Sequence, residues 1–294
     1  MNINTNALVC GNGPSLQNID YKKLPINYDV FRCNQFYFED KYFTGKDIKY
    51  AFFNPFVFFE QYYTAKQLIQ KNEYTINNLI CSSFGLPYID GVNFISNFEL
   101  YFSDAFLGHK IIKKLKDFFA FIIYNEVHKK QRITSGVYMC ATAVALGYKN
   151  IYVCGIDFYQ DMNNLYAFDN NKKNLLNICT DFKNEKFKFI NHSMEYDLQA
   201  LNFLIKTYNI NIYSLNSNNY FNLAPDVGND FVLNSKPKKY INDILLPTKY
   251  AQEIYHGRKN KLKENLYYKL IKDFLHLPSD IKHYIREKYA NKNR

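Results

Sequence analysis

Tyr159, Tyr166 and His192 fall within one stretch, Ile151 to Ser193, that reads as a chemical unit. Phenol hydroxyls donate hydrogen bonds without carrying charge, so a pair of them suits a phosphate that is gaining charge as it leaves. An imidazole titrates near neutrality and can take up one proton, the work of a general base. Six histidines are present (His109, His128, His192, His256, His276 and His283), and only His192 closes this stretch. A lone histidine is more often structural than catalytic, so position alone leaves both roles open. The stretch opens as a buried strand at residues 151–153 and turns at Gly155. It sets Asp157 just past the strand end, where open α/β sheets bind ligands. Regular helical spacing resumes only at DLQALNFLIKTYN, residues 197–209. Connections that long are functional lids or floppy insertions. Either the phenols and the imidazole are carried over a site built by the sheet, or the tyrosines are simply solvated.

The rest of that site would have to come from strand ends. Residues 7–10 form a short apolar strand that runs into Gly11-Asn12-Gly13-Pro14-Ser15, the opening of a phosphate-binding turn. A dinucleotide fingerprint needs a third glycine where Leu16 stands and an acid at the end of the second strand. That strand, YDVFRCNQF at 28–36, presents Cys33, Asn34 and Gln35 instead, and Pro14 removes a backbone donor. A nicotinamide site is therefore disfavoured, while a mononucleotide fits the same crevice. A third strand at 49–55 ends on Asn54. Asn12, Asn34 and Asn54 each have an ordinary turn explanation. Their recurrence at one sheet edge offers neutral amides to a polar, hydroxylated ligand. Thr134 or Ser135 caps the apolar helix of residues 137–148, and Arg132 lies beside that end. This is an anion site or a plainly capped core helix. Metal-assisted chemistry on a nucleotide would call for a close acidic pair. No Asp-x-Asp occurs, and Glu195-x-Asp197 opens a helix, where acids are favoured anyway.

Further strands at 77–84 and 210–216 alternate with helical patterns at 56–70 and 109–130, while residues 88–110 are aromatic and irregular. The expected fold class is α/β: a single Rossmann-like, doubly wound, mostly parallel sheet with a small inserted lid. Residues 1–157 and 193–247 would form the nucleotide-binding domain, 158–192 the lid, and 248–294 a basic amphipathic helical tail. The 294-residue chain, 47% hydrophobic and 22% charged, suits one large domain with a small appendage. Its formal charge of +10 is concentrated in the tail, where Lys249 to Arg294 holds 12 lysines and arginines against 5 acids. Leu262, Leu266, Leu270 and Phe274 share one helical face there, opposite lysines. Such a face serves an anionic membrane surface or packs on the body or a partner subunit. Six scattered cysteines with no C-x-x-C pair indicate neither a metal cluster nor a disulfide framework. With no signal peptide and no spanning run, the expected location is the cytoplasm.

Taken in order, GNGPSL, YDVFRCNQFYFEDKY, FFNP, QRITSGVYMC, ALGYKNIYVCGIDFYQ, YAFD and the HS of NHS closely resemble the bacterial sialyltransferases of glycosyltransferase family 42, and the resemblance runs the length of the chain. It implies inverting, metal-independent transfer of sialic acid from CMP-sialic acid to a galactoside or sialoside hydroxyl of lipooligosaccharide. It implies a variant of the A-type glycosyltransferase fold, a homotetramer and no cofactor; no nucleic acid partner is expected, and the tail leaves open whether the cytoplasmic enzyme is free or peripheral to the inner face of the inner membrane. By motif, His192 matches the general base, Tyr159 and Tyr166 the tyrosines on the leaving phosphate, and Arg132 a basic residue important for catalysis. Asn12, Asn34, Gly155 and Asp157 fall on the CMP side and Asn54 and Ser135 near the sialic acid carboxylate, and Gln35, Thr134 and Phe158 are also expected to bind the donor. The acceptor residues have no motif, and neither does the choice between α2,3 and α2,8 linkage. Two departures stand out: one extra residue between the tyrosines, and Asn191 where glycine often precedes the base. The competing class is a basic-tail protein that binds nucleic acid or membrane without catalysis.

Overall fold

The computed structural model describes residues 5–158, 166–168, 191–217, 220–237, 245–246, 248 and 265–290. Its centre is an eight-stranded sheet in the order β5-β4-β3-β2-β1-β6-β7-β8. The strands are β1 (Asn6–Cys10), β2 (Asp29–Cys33), β3 (Asp47–Phe53), β4 (Thr75–Cys81), β5 (Ala105–Leu107), β6 (Asn150–Cys154), β7 (Asn211–Ser214) and β8 (Asn222–Leu223). Every pairing is parallel, with Cys10 in register with Cys154 across the β1–β6 pair. The expected single α/β sheet is present, and it is wholly parallel. From β1 the chain winds one way through β2 to β5, then returns to β1's other side with β6. The switch point therefore opens between the carboxyl ends of β1 and β6, where such sheets leave a crevice.

The central strands are apolar throughout because both faces are covered. Ala7 and Val9 point into one core with Phe31 and Phe52, while Leu8 and Cys10 point into the other with Phe53 and Phe58, the period of two expected of a strand. Helix α1 (Phe58–Gln70) covers the second face through Phe58, Tyr62, Ala65 and Leu68. Three short helices follow β4, α2 (Pro87–Asp90), α3 (Val92–Ser96) and α4 (Phe98–Tyr101), and they precede the edge strand β5. Those elements occupy the region whose sequence looked irregular. Each is too brief for a period to show, and Phe94, Phe98 and Phe102 hold it by packing around Phe58.

The pattern at 109–130 divides into α5 (Gly108–Ile112) and α6 (Lys116–Lys129), the latter stopped by Lys130 in the left-handed region. Helix α7 (Ser135–Ala145) is buried on all sides, as its uniformly apolar sequence requires. Helix α8 (Met194–Tyr208) starts at Ser193, whose hydroxyl accepts from the Tyr196 N–H at 3.2 Å, and ends at Asn209 with φ 50°. Helix α9 (Leu266–Ala290) carries Pro278 inside it, and every side chain described in it is exposed. Leu262, the first member of the expected stripe, lies outside the described residues. No described helix is long and apolar enough to cross a membrane. Cys10, Cys33, Cys81, Cys140 and Cys154 are free and buried.

Beneath the crevice lies a charge that the apolar run of β2 does not advertise. Arg32 is 2% exposed and pairs with Glu39, 1% exposed, while its guanidinium also donates to Thr44 Oγ1 at 3.1 Å and Asn12 Oδ1 at 3.3 Å. Burial pushes the Glu39 carboxyl up, against the pull of Arg32 and Lys236. Removing one member of such a pair strands the other in the core. Arg32→Met is therefore expected to lower unfolding stability by about 3–5 kcal/mol in a denaturant titration. The double change Arg32→Met with Glu39→Leu should recover most of that loss. Equal loss in the two variants would show that the pair is not what holds this region.

Candidate active site

Three loops build the crevice, and glycine lets two of them touch. Gly11 N–H donates to Cys154 O and Gly13 N–H to Gly155 O, both at 2.9 Å, while Ser15 N–H donates to Asp157 Oδ2 at 2.9 Å. A Cβ on Gly11 would sit 2.1 Å from the backbone oxygen of Gly155, so no other residue fits there without moving the loops apart. Gly155 has φ +62°, which strains any L side chain. The turn after β1 thus differs from a free phosphate loop. Its N–H groups at 11, 13 and 15 are spent on the end of β6 and the loop after it.

Asn12 follows at the tip. Its Nδ2 donates to Cys33 O at 2.9 Å and its Oδ1 accepts from Arg32, so the amide is held in one orientation, and its backbone oxygen accepts from Ala167 N–H at 2.8 Å. Gln17 Nε2 completes the tie by donating to Ala167 O at 2.7 Å. Tyr166 stacks on Phe168 with centroids 5.1 Å apart and planes 13° from parallel, and Phe168 meets Phe38 at 5.8 Å. Tyr166 is thereby fastened to the β1 and β2 loops. Tyr159 lies outside the described residues.

Asn34 takes the left-handed conformation, φ 51°, at the end of β2, and its Nδ2 donates to Ser135 Oγ at 3.2 Å. Gln35 beside it is buried. Asn54 plays the turn role that its position allows, with Oδ1 accepting from Phe56 N–H at 2.9 Å. Phe158 also has a positive φ, 51°, and packs edge-on against Tyr220. Thr134 supplies no cap to α7. Its N–H and hydroxyl donate at 3.0 and 2.6 Å to the carboxylate of Asp197 in α8, whose pKa burial pushes up to about 6.

The same junction holds the imidazole. His192 directly precedes the Ser193 cap, and its Nδ1 lies 2.7 Å from the carbonyl oxygen of Arg132. A carbonyl only accepts, so Nδ1 carries the hydrogen and the neutral ring keeps Nε2 as its basic atom. Arg132 N–H donates to Asn191 O at 2.7 Å, so the two segments clasp each other on both sides. The Arg132 guanidinium is chelated by Glu126 at 2.9 and 2.8 Å and lies over the Phe84 ring at 5.7 Å. The sequence placed Arg132 beside an anion site, but the structure commits its charge to Glu126. Burial pushes the His192 pKa down; the Arg132 hydrogen bond and the Glu126 charge oppose that, and the Arg132 charge adds to it.

Asn12 is tied to the segment that carries Tyr166, Asn34 to Ser135, and Arg132 to His192, all at loops that follow the carboxyl ends of the strands or flank α7. Sequence reasoning missed Arg32, Glu39, Gln17 and Glu126. A charge inside the apolar strand DVFRC was the only available sign of the first pair. Glu126 and Gln17 gave none, being polar residues on patterns that look solvated.

A parallel sheet that opens at its switch point onto oriented amides, a fastened phenol and one directed imidazole has the make-up of a group-transfer site for a nucleotide-linked donor. The family described as Alpha-2,3-sialyltransferase (CST-I) matches residues 5–288, and the chain belongs to this family of sialyltransferases. The CstII sialyltransferase of Campylobacter jejuni, solved with the substrate analogue CMP-3FNeuAc, is 50% identical with TM-score 0.78, over 84% of this chain and 96% of that one. The monofunctional alpha-2,3-sialyltransferase Cst-I of the same organism is 47% identical with TM-score 0.78, over 94% and 95%. CST-II solved with a trisaccharide acceptor and CMP is 47% identical with TM-score 0.76, over 86% and 99%. An uncharacterised protein of Haemophilus influenzae is 42% identical over 229 residues, which are 76% of this chain and 98% of that one. The sequence resemblance to sialyltransferases is thus met in family and in fold.

Proposed function

We propose that the protein moves sialic acid from CMP-sialic acid to a galactoside hydroxyl in one inverting step, with His192 as base and no divalent ion. The observation that carries this is the Nδ1 hydrogen bond to Arg132 O, which leaves Nε2 free of a proton and its ring fixed. As the acceptor oxygen closes on the anomeric carbon, its proton passes to Nε2 and the bond from that carbon to the CMP phosphate breaks. The anomeric carbon of sialic acid bears a carboxylate and no hydrogen, so the passing state is oxocarbenium-like and depends on a stabilised leaving group. Tyr166, with Tyr159, supplies the hydroxyl donors for the departing phosphate. One base and no carboxylate nucleophile give a single displacement, hence inversion. Asn12, Asn34, Gln35, Gly155, Asp157 and Phe158 form the nucleotide side; Asn54, Thr134 and Ser135 border the sugar.

The reading extends to the setting of the enzyme. The acceptor is the outer core of lipooligosaccharide, and the working form is a homotetramer. Helix α9 lies on the anionic inner face of the inner membrane: Leu266, Leu270, Phe274 and Ile281 are exposed on a helix that also presents lysines.

Transfer from CMP-sialic acid to a lactoside should proceed in excess EDTA, and His192→Ala should cut turnover there by about 10²–10⁴-fold with CMP still bound. Near wild-type transfer by that variant places the base elsewhere, and activity that returns only with magnesium ends the metal-free reading. The full chain should co-sediment with phosphatidylglycerol vesicles but not with phosphatidylcholine vesicles. Leu270→Asp with Phe274→Asp should abolish that binding, and retention would count against α9 as the contact.

A further inference from the structure

Glu126 stands outside every motif, yet it is the one described carboxylate that chelates the arginine whose backbone holds the imidazole. It is 4% exposed and takes both Nε–H and Nη2–H of Arg132. A surface ion pair closing a helix end would contribute little; this one is buried on the acid's side and bidentate, the arrangement that fixes a guanidinium plane. Arg132 in turn is tied through both backbone polar groups, N–H to Asn191 O and C=O to His192 Nδ1. Its guanidinium, held by Glu126, acts electrostatically on the ring.

We propose that Glu126 is a positioning residue for the base, fixing the Arg132 carbonyl that orients His192 and cancelling the positive charge beside the ring. This rests on the reading of His192 as the base. Arg132 and Glu126 are the charged groups that act on the imidazole, with opposite sign. Asp197 on α8 is turned onto Thr134, and Asp90 of α2 is taken up by the N–H groups of Phe84, Gly85 and Leu86. Tyr88 and Tyr196 also lie within reach of the Glu126 charge. With Glu126 present, the ring keeps enough basicity to take a hydroxyl proton. Without it, the uncompensated guanidinium would hold the ring neutral but weaken it as a base.

The test reads the ring itself. In protein labelled at histidine 13Cε1, the His192 signal is the one lost in His192→Ala, and its titration gives the imidazole pKa independently of turnover. In wild type it should titrate below the ordinary histidine value. Glu126→Gln should move it lower still, shift the acid limb of kcat/KM to lower pH with it, and reduce plateau kcat. Arg132→Gln, which keeps the carbonyl and removes the charge, should move the signal upward. It also answers the question if Glu126→Gln fails to fold. An unmoved signal in the folded variants, or shifts of the same sign in both, overturns the proposal. Persistent transfer by His192→Ala would instead overturn the base assignment and leave the electrostatic result standing.

Discussion

Gly11 and the backbone carbonyl of Gly155 meet so closely that a single methyl group would force them apart. That contact, with the two backbone hydrogen bonds from Gly11 and Gly13 to the β6 loop, welds the halves of the sheet at the point where the winding reverses. The crevice above owes its shape to the weld. The N–H groups of Gly11, Gly13 and Ser15 are consumed in making it, and side chains at the strand ends line the same edge. These are neutral amides, which can bind a polar ligand without adding fixed charge.

The amides are themselves held from below. Asn12 has little freedom to flip, since Arg32 and Cys33 O determine which end of its amide faces which partner. Arg32 is buried and depends on Glu39 and Thr44. A buried pair is not in itself a source of stability; here it orients a group in the crevice. Glu126 and Arg132 repeat the device at the other end of the site. In both places a buried acid holds an arginine, and the arginine in turn bonds a residue of the candidate site.

Strand ends were legible in the sequence because a parallel sheet leaves apolar runs that stop at glycine or asparagine. Asn12, Asn34, Asn54, Gly155 and Asp157 all sit where those stops implied. From the residues alone His192 was legible only as the end of an aperiodic stretch, and the family motif gave it its expected role; the clasp with Arg132 could not be seen because it joins residues with no shared pattern. The helices before β5 escaped for a different reason: elements of four or five residues are much shorter than the roughly 11–18 residues over which a helical period shows. Glu126 and Arg32 show the general limit. A charge looks solvated in one dimension, and only packing reveals that it is buried and committed.

The account turns on an imidazole whose orientation is set by a backbone carbonyl before any substrate arrives. A crystal structure with an inert CMP-sialic acid analogue and a lactoside bound would test this most directly. It should show Nδ1 still on Arg132 O and Nε2 within about 2.6–3.2 Å of the acceptor hydroxyl, opposite the phosphate. A structure in which that hydroxyl is held by another side chain, with the His192 ring turned from it, would contradict the account.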